Sequence, residues 1–138
     1  MSEVRYKHGF RAVYLLTAHI VFVTKYRRKA ITRSMLDRLE AIFRSTCNKW
    51  DCELKEFNGE SDHVHLLIEF KPDVQLSKLI ANLKTVSSRL IRKEFASHVN
   101  RIYRKPVFWT GSYFVTTCGG VTVERLKEYV KGQQSPTA

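Results

Sequence analysis

The first apolar segment of the chain predicts a central strand. Residues Ala12 to Val23 are rich in valine, isoleucine, tyrosine and phenylalanine, and both alternating sets of positions are apolar. A strand that is covered on both faces has this composition, because neither face meets water. The charged segment Lys25 to Lys29 follows, so we expect the chain to leave the sheet there.

Helical spacing appears in the next segment. Ser34 and Asp37 stand in the positions of a capping box, which satisfies backbone N–H groups at the start of a helix. The apolar positions recur every three or four residues and predict a helix that opens at this box and ends near Trp50. These positions are Leu36, Leu39, Ile42, Phe43 and Cys47.

A β-hairpin is predicted next. A short strand from about Cys52 to Phe57 is followed by Asn58-Gly59, which is a common turn signal, and then by the run His63 to Phe70. Two antiparallel strands should result. One face of the second strand is wholly apolar and should join the core. It consists of Val64, Leu66, Ile68 and Phe70.

A second, longer helix is predicted after Pro72, a residue that helix interiors exclude. Apolar residues again recur at helical spacing, over a segment long enough to allow a bend near Lys84 to Ser88. They are Leu76, Leu79, Ile80, Leu83, Val86, Leu90, Ile91 and Phe95.

The last third of the chain adds a strand and a helix. We expect a basic, irregular connection from His98 to Trp109, then a strand from Tyr113 to Thr117 that Gly119-Gly120 ends. A final helix should run from about Thr122 to Gln134, with Ser135 to Ala138 as a loose tail. The order β-α-β-β-α-β plus a C-terminal helix predicts an α+β, ferredoxin-like fold with an antiparallel sheet.

Chain length and net charge limit the number of domains and the class of binding partner. A chain of 138 residues can bury one core but not two, so we expect a single domain over residues 1–138. Lysine and arginine number 24 against 13 acidic residues, a net charge of +11. Such a field attracts polyanions, and nucleic acid is the favoured partner. An anionic membrane surface and an acidic protein remain as alternatives.

Cysteines and apolar segments indicate a cytoplasmic protein. Cys47, Cys52 and Cys118 form an odd count without CxxC spacing, which argues against a disulfide framework and a cysteine zinc site. The charges between Met1 and Arg11 are unlike a secretory signal. The apolar stretch of residues 13–23 is shorter than the ~20 residues that cross a bilayer, so no membrane partner is expected.

Two histidines form the first candidate site. His63 and His65 share the polar face of their predicted strand, where alternate side chains lie side by side. Two adjacent imidazoles can hold one divalent ion. The same pattern is also met in ordinary surface histidines, so His-x-His alone is a weak signal.

A tyrosine on the last predicted helix is the second candidate. Tyr129 and Gln133 are four residues apart and therefore share one helix face. A phenolic oxygen can act as a nucleophile beside a cation. A tyrosine that packs its ring against the sheet would show the same spacing.

The residues around both features resemble one family. Asp62-His63-Val64-His65-Leu66-Leu67 resembles the His-hydrophobe-His motif of HUH endonucleases, which lies on a strand of a ferredoxin-like sheet. Tyr129-Val130-Lys131-Gly132-Gln133 is similar to the Tyr-x-x-x-Gln signature of single-tyrosine HUH transposases, which mobilise small insertion sequences as single-stranded DNA. Residues 23–27 and 113–117 extend the resemblance over nearly the whole chain. Ser61 departs from it, because relatives usually have proline there.

The resemblance implies metal-dependent DNA cleavage. His63 and His65 would bind Mg²⁺ or Mn²⁺ with Gln133 as a third ligand, and Tyr129 would attack a DNA phosphate. The products would be a 5′-phosphotyrosine and a free 3′-hydroxyl, so that another 3′-hydroxyl could rejoin the strand without ATP. The family also implies a homodimer in which the tyrosine helix of one subunit acts on the partner's histidines, with Gly119-Gly120 as a candidate hinge. Catalysis within one subunit remains open.

Basic and aromatic residues are expected to contact the DNA, which would be single-stranded with hairpins at the element ends. Phosphate contacts and ring stacking are the usual chemistry of such binding, although some of these charges would only solvate the surface. The candidates are Lys25, Tyr26, Arg27 and Arg28 after the first strand, Lys84, Arg89 and Arg92 on the second helix, and Arg104 in the connection. His19 lies within the apolar first strand and is not expected to be a ligand.

Two other functions fit parts of the pattern. A domesticated relative resembling the REP-associated tyrosine transposases would use the same chemistry on genomic palindromes. A noncatalytic nucleic-acid binder would also have a basic ferredoxin-like sheet, but it would need neither the histidines nor Tyr129 and Gln133. A structural zinc domain is disfavoured, because the chain offers no convincing fourth ligand.

Overall fold

A computed structural model describes residues 16–117, together with the backbone of residues 7–9, 12–14 and 118. The strands are β1 (Lys7–Gly9), β2 (Ala12–Tyr14), β3 (Leu16–Val23), β4 (Glu53–Gly59), β5 (His63–Phe70) and β6 (Phe114–Cys118). The helices are α1 (Arg33–Lys49), α2 (Leu76–Glu94) and α3 (Ala96–Ile102). Strands β4, β5, β3 and β6 form, in that order, one antiparallel sheet. The predicted α+β class is confirmed.

The predicted first strand is two strands. β2 pairs with β1 in a separate antiparallel ribbon, and only β3 belongs to the four-stranded sheet. The prediction of one strand from Ala12 to Val23 was therefore wrong in extent. Apolar composition marks both segments as strands, but it does not say which partner each one pairs with.

Helix α1 begins earlier than the sequence suggested. Thr32, in an extended conformation, accepts a hydrogen bond from the backbone N–H of Met35 at 3.2 Å, so it is the N-cap. Ser34 lies inside the first turn, and the predicted capping box with Asp37 is wrong. The predicted end is confirmed, because Trp50 is the C-cap.

The hairpin is confirmed, but its turn is not where it was predicted. Asn58 and Gly59 are paired residues of β4, opposite His65 and Val64. The chain reverses over residues 60–62, and the N–H of Glu60 donates to the carbonyl oxygen of His63 at 2.8 Å. A Cβ atom at Gly59 would lie 2.8 Å from this oxygen. Glycine is therefore needed here for a close approach of two strands and not for a tight turn.

The core lies between the sheet and helices α1 and α2. Val64, Leu66 and Ile68 of β5 are fully buried, as their alternation predicted. β3 contributes Ala18, Ile20 and Phe22 from the equivalent face. Cys47 and Cys52 are free thiols within this core, and burial raises the pKa of Cys47 to about 12.

The connection after α2 is more regular than predicted. α2 is a continuous helix to Glu94, and α3 follows after one residue, where an irregular segment was expected from His98 onward. Val99 of α3 and Tyr103, its C-cap residue, are both buried, so packing against the core stabilises this short helix. No helix among the described residues is long and apolar enough to span a membrane.

The C-terminal predictions lie outside the described residues. These are Gly119-Gly120, the final helix from about Thr122 to Gln134, and the tail from Ser135 to Ala138. Tyr129 and Gln133 belong to this part of the chain, so their placement stays a prediction.

Candidate metal centre and nucleic-acid interface

The two motif histidines lie together on the face of β5 that points away from the core. The burial of this strand alternates: both imidazoles are half-buried, while Val64 and Leu66 are fully buried. Their ring centroids are 4.9 Å apart, with the rings nearly perpendicular at 85°. The strand geometry inferred from the sequence is therefore present.

Asp62 orients the ring of His63. Nδ1 of His63 donates to Oδ1 of Asp62 at 2.7 Å. This hydrogen bond holds the pKa of Asp62 below its usual range. Within the described residues Nε2 of His63 has no partner, so its lone pair is available for a cation. A carboxylate that holds the far nitrogen of a ligand histidine is a common arrangement in metal sites.

His19, which was not expected to be a ligand, makes the corresponding contact with His65. Nε2 of His19 lies 3.1 Å from Nδ1 of His65, and the two rings stack with centroids 5.2 Å apart. Burial, followed by the nearby His63 and His19, lowers the pKa of His65 and so favours the neutral imidazole. A neutral imidazole is the form that binds metals.

A sequence signal for His19 did exist. It alternates with the buried residues Ala18 and Ile20, which places its ring on the polar face of β3. Its proximity to His65 depends on the register, in which His19 is opposite Leu67 and Val21 is opposite His65. That register follows from the pairing of distant segments and could not be derived from β3 alone.

The two imidazoles supply only part of a coordination shell. Among the described residues there is no group of three or more histidine, cysteine, aspartate or glutamate side chains that could hold a metal ion. Mg²⁺ and Mn²⁺ take six ligands and accept oxygen readily. The site fits such an ion if amide, water and phosphate oxygens complete the shell, which is the role predicted for Gln133 and the DNA.

A cavity of about 710 Å³ adjoins His63. Its walls come from the end of β3, from a short 3-10 turn at Lys25–Arg27 and from the segment that leads into β6. The lining residues are Val21, Val23, Thr24, Lys25, Tyr26, Arg27, His63, Thr110, Ser112, Tyr113 and Phe114. Two cations and three aromatic rings line this space without a carboxylate, a composition suited to a nucleic-acid strand.

Lys84 supports the wall of this cavity. Its ammonium donates to the carbonyl oxygens of Thr110 at 2.7 Å and Gly111 at 3.0 Å. Burial and the nearby Lys25 lower its pKa. The sequence assigned Lys84 to DNA contact, whereas its hydrogen bonds give it a structural task at the edge of the same site.

The remaining basic candidates line two further cavities. One, of about 380 Å³, contains Lys25, Tyr26, Arg28 and Arg104. The next, of about 450 Å³, contains Arg104 again with Arg89 and Arg92. Shared residues link the three cavities into one positively lined groove that ends at His63. Apart from Lys84, the residues that the sequence assigned to DNA contact all line these three cavities.

Comparison with known proteins identifies the family of this chain. The sequence profile described as "Transposase IS200 like" matches residues 12–133. The transposase for insertion sequence element IS200 of Salmonella typhimurium is 32% identical over 115 residues, which are 83% of this chain and 74% of that protein. The ISDra2 transposase TnpA of Deinococcus radiodurans is 25% identical over 92% of this chain and 90% of its own length.

Solved structures share the fold. The crystal structure of a Deinococcus radiodurans protein assigned as a transposase superposes with a TM-score of 0.75 at 28% identity, covering 92% of this chain and 97% of that one. A REP-associated tyrosine transposase bound to a REP hairpin gives a TM-score of 0.55 at 10% identity, covering 94% and 75%. Fold and sequence together define a DNA transposase of the single-tyrosine HUH class. The chain belongs to the IS200-like transposase family.

Proposed function

We propose that this protein cleaves and rejoins single-stranded DNA at insertion-sequence ends, with Tyr129 as the nucleophile and His63 and His65 as metal ligands. The observation that carries the proposal is the orientation of the two histidines. Asp62 and His19 occupy their Nδ1 atoms, which leaves both Nε2 atoms for one cation beside a basic cavity.

A bound Mg²⁺ or Mn²⁺ would polarise the scissile phosphate and neutralise its developing charge. Two imidazoles favour Mn²⁺ over Mg²⁺ in the order of divalent affinities, and the amide oxygen of Gln133 is a ligand acceptable to either. Tyr129 would attack phosphorus as the 3′-oxygen leaves with a proton. A 5′-phosphotyrosine and a free 3′-hydroxyl result, and attack by a second 3′-hydroxyl returns the tyrosine.

The groove beside His63 supports a single-stranded substrate. Lys25 and Arg27 would contact phosphates near the scissile bond, and Arg28, Arg89, Arg92 and Arg104 would contact phosphates farther along. Exposed rings suit unpaired bases, whose faces are free to stack. The protein would bind hairpins at the element ends mainly through contacts with their phosphates.

A homodimer would complete two active sites. β6 is at one end of the described sheet, and it exposes Phe114 and Val115. Apolar residues on an edge strand favour pairing with another chain. We propose a homodimer in which the partner's Tyr129 acts at His63 and His65 of this subunit. Mixing subunits that lack Tyr129 with subunits that lack the two histidines tests whether catalysis is in cis or in trans.

A cytoplasmic location of the protein also stays a prediction.

A self-mobilising transposase is favoured over a domesticated relative of the REP-associated type. The 32% identity to the IS200 transposase contrasts with 10% identity to the REP-associated structure. In both cases the cleavage chemistry would be the same, and only the DNA ends would differ.

The proposal is tested by looking for the covalent intermediate. The protein is incubated with Mn²⁺ or Mg²⁺ and with labelled single strands that cover both flanks of its gene, and the products are separated in SDS. We expect an SDS-resistant adduct on one strand, with none from Tyr129→Phe, from His63→Ala or in the presence of EDTA. No adduct on any flank, or an adduct with Tyr129→Phe, would show that the mechanism is wrong.

A further inference from the structure

The turn after β3 holds two consecutive residues in a left-handed conformation. Tyr26 has φ 61° and ψ 17°, and Arg27 has φ 53°. Residues with a Cβ atom rarely adopt this region, because Cβ approaches the backbone carbonyl oxygen too closely. Such conformations persist only where surrounding contacts hold them, and they are concentrated at functional sites.

The contacts that hold this turn are extensive. Thr24 is fully buried, and its hydroxyl donates to the carbonyl oxygen of Arg28 at 2.6 Å. The hydroxyl of Tyr103 donates to the carbonyl oxygen of Lys25 at 2.7 Å. The N–H of Lys25 donates to the carbonyl oxygen of Phe108 at 2.8 Å. The backbone on both sides of Tyr26 is therefore fixed by buried groups.

With the backbone fixed in this way, the ring of Tyr26 is exposed to solvent. The residue is 71% exposed, and its hydroxyl makes no hydrogen bond within the described residues. Tyr26 lines both the cavity beside His63 and the adjoining one. Nζ of Lys25 lies 5.4 Å from the ring centroid, and Cζ of Arg28 lies 5.6 Å from it. A strained turn thus holds an aromatic face between two cations.

We infer that the ring of Tyr26 is a stacking platform for one unpaired nucleobase, with Lys25 and Arg28 at the flanking phosphates and the strand continuing toward His63. This inference rests on the proposed function and adds a base subsite to it. Only a single strand can use the platform, because bases inside a duplex already stack on each other.

The first test removes the ring of Tyr26 while keeping the backbone conformation of the turn. Glycine adopts positive φ freely, so Tyr26→Gly keeps the backbone and removes only the side chain. We expect an unchanged or higher melting temperature, with binding of labelled oligo(dT) weakened roughly 5- to 150-fold. Tyr26→Phe keeps the π-face and should bind within about twofold of wild type. Asp51→Gly is the matched control, because Asp51 also has a positive φ, 55°, but lines neither cavity.

The second test removes the bases instead. Oligo(dT) is compared with an abasic deoxyribose-phosphate oligomer of the same length, so that phosphate contacts are equal and the register is irrelevant. Wild type should prefer oligo(dT), and Tyr26→Gly should lose most of that preference. A full preference retained by Tyr26→Gly would overturn the inference while leaving the proposed function intact. If wild type bound both oligomers equally, or bound neither, the inference would also be wrong, whereas the proposed function is decided separately by the SDS-resistant adduct.

Discussion

Nε2 of His19 lies 3.1 Å from Nδ1 of His65, and the two rings stack across neighbouring strands. For Nε2 of His65 to bind a cation, its Nδ1 must carry the proton and donate it to His19. We therefore expect His19 to act as a positioning residue that favours this tautomer of the proposed metal ligand, as Asp62 would for His63.

Removing this hydrogen bond should weaken metal binding. For His19→Ala we expect a loss of roughly 10- to 100-fold in Mn²⁺ affinity, the usual effect of losing such a partner. Electron paramagnetic resonance titration measures the affinity, and ¹⁵N chemical shifts of His65 report its tautomer. His19→Gln, whose amide oxygen can accept the same proton, should restore part of the affinity. Equal Mn²⁺ affinity in wild type and His19→Ala would contradict the assigned role.

The segment of residues 110–114, which lines the cavity beside His63, is held in place by hydrogen bonds from Lys84. Lys84→Met keeps the apolar stem but loses the hydrogen bonds to the carbonyl oxygens of Thr110 and Gly111. We expect the free energy of unfolding to fall by about 1–3 kcal/mol, because hydrogen bonds from a charged donor are lost at a partly buried position. Urea denaturation measures the change. The matched control is Lys78→Met on the same helix, where the side chain is exposed; a similar loss in both variants would rule out the assigned contacts.

Gly59 and Gly111 should respond in opposite ways to alanine. At Gly59 a Cβ atom would lie 2.8 Å from the carbonyl oxygen of His63 and from Cγ1 of Val64. At Gly111 it would meet no atom within 4 Å. Gly59→Ala should therefore cost about 1–3 kcal/mol of unfolding free energy through overpacking, while Gly111→Ala should be close to neutral. Thermal and urea unfolding measure both variants, and the prediction fails if they are equally stable.

Acid should weaken the contact between α1 and α2. Nε and Nη2 of Arg38 donate to the two carboxylate oxygens of Glu94 at 2.6 and 2.9 Å. These hydrogen bonds, and then the charge of Arg38, hold the pKa of Glu94 below its usual range. A lowered folded-state pKa adds stability above the unfolded-state value of about 4.3, and that stability is lost as the pH falls through the folded-state pKa.

The comparison that tests this is Glu94→Gln against wild type between neutral and acid pH. The difference in unfolding free energy should be constant above about pH 5 and should shrink below it. It should not exceed about 1 kcal/mol, because both side chains are roughly one-third exposed and solvent screens the pair. Glu56→Gln, which removes one carboxylate at an exposed position on β4, controls for the change of net charge. A difference that grows toward low pH would have the wrong sign.

Side-chain direction could be read from the sequence, because it follows a local period. The alternation of Val64, Leu66 and Ile68 identified the core face of β5, and it placed both motif histidines on the opposite face. The 3.6-residue period likewise located most of α1 and α2. The motifs themselves were enough to indicate the family.

Strand register and close contacts were decided by the tertiary structure. His19 meets His65 only because β3 and β5 pair in one register, and that register depends on the whole sheet. Asn58-Gly59 resembles a turn locally, but both residues pair with β5, opposite His65 and Val64, so the strand continues through them. In the sequence, Lys84 is not distinguished from the other basic residues. Only the tertiary structure shows that its ammonium donates hydrogen bonds to the carbonyl oxygens of Thr110 and Gly111. Local periods determine which face a residue takes, whereas contacts between distant segments determine what it meets there.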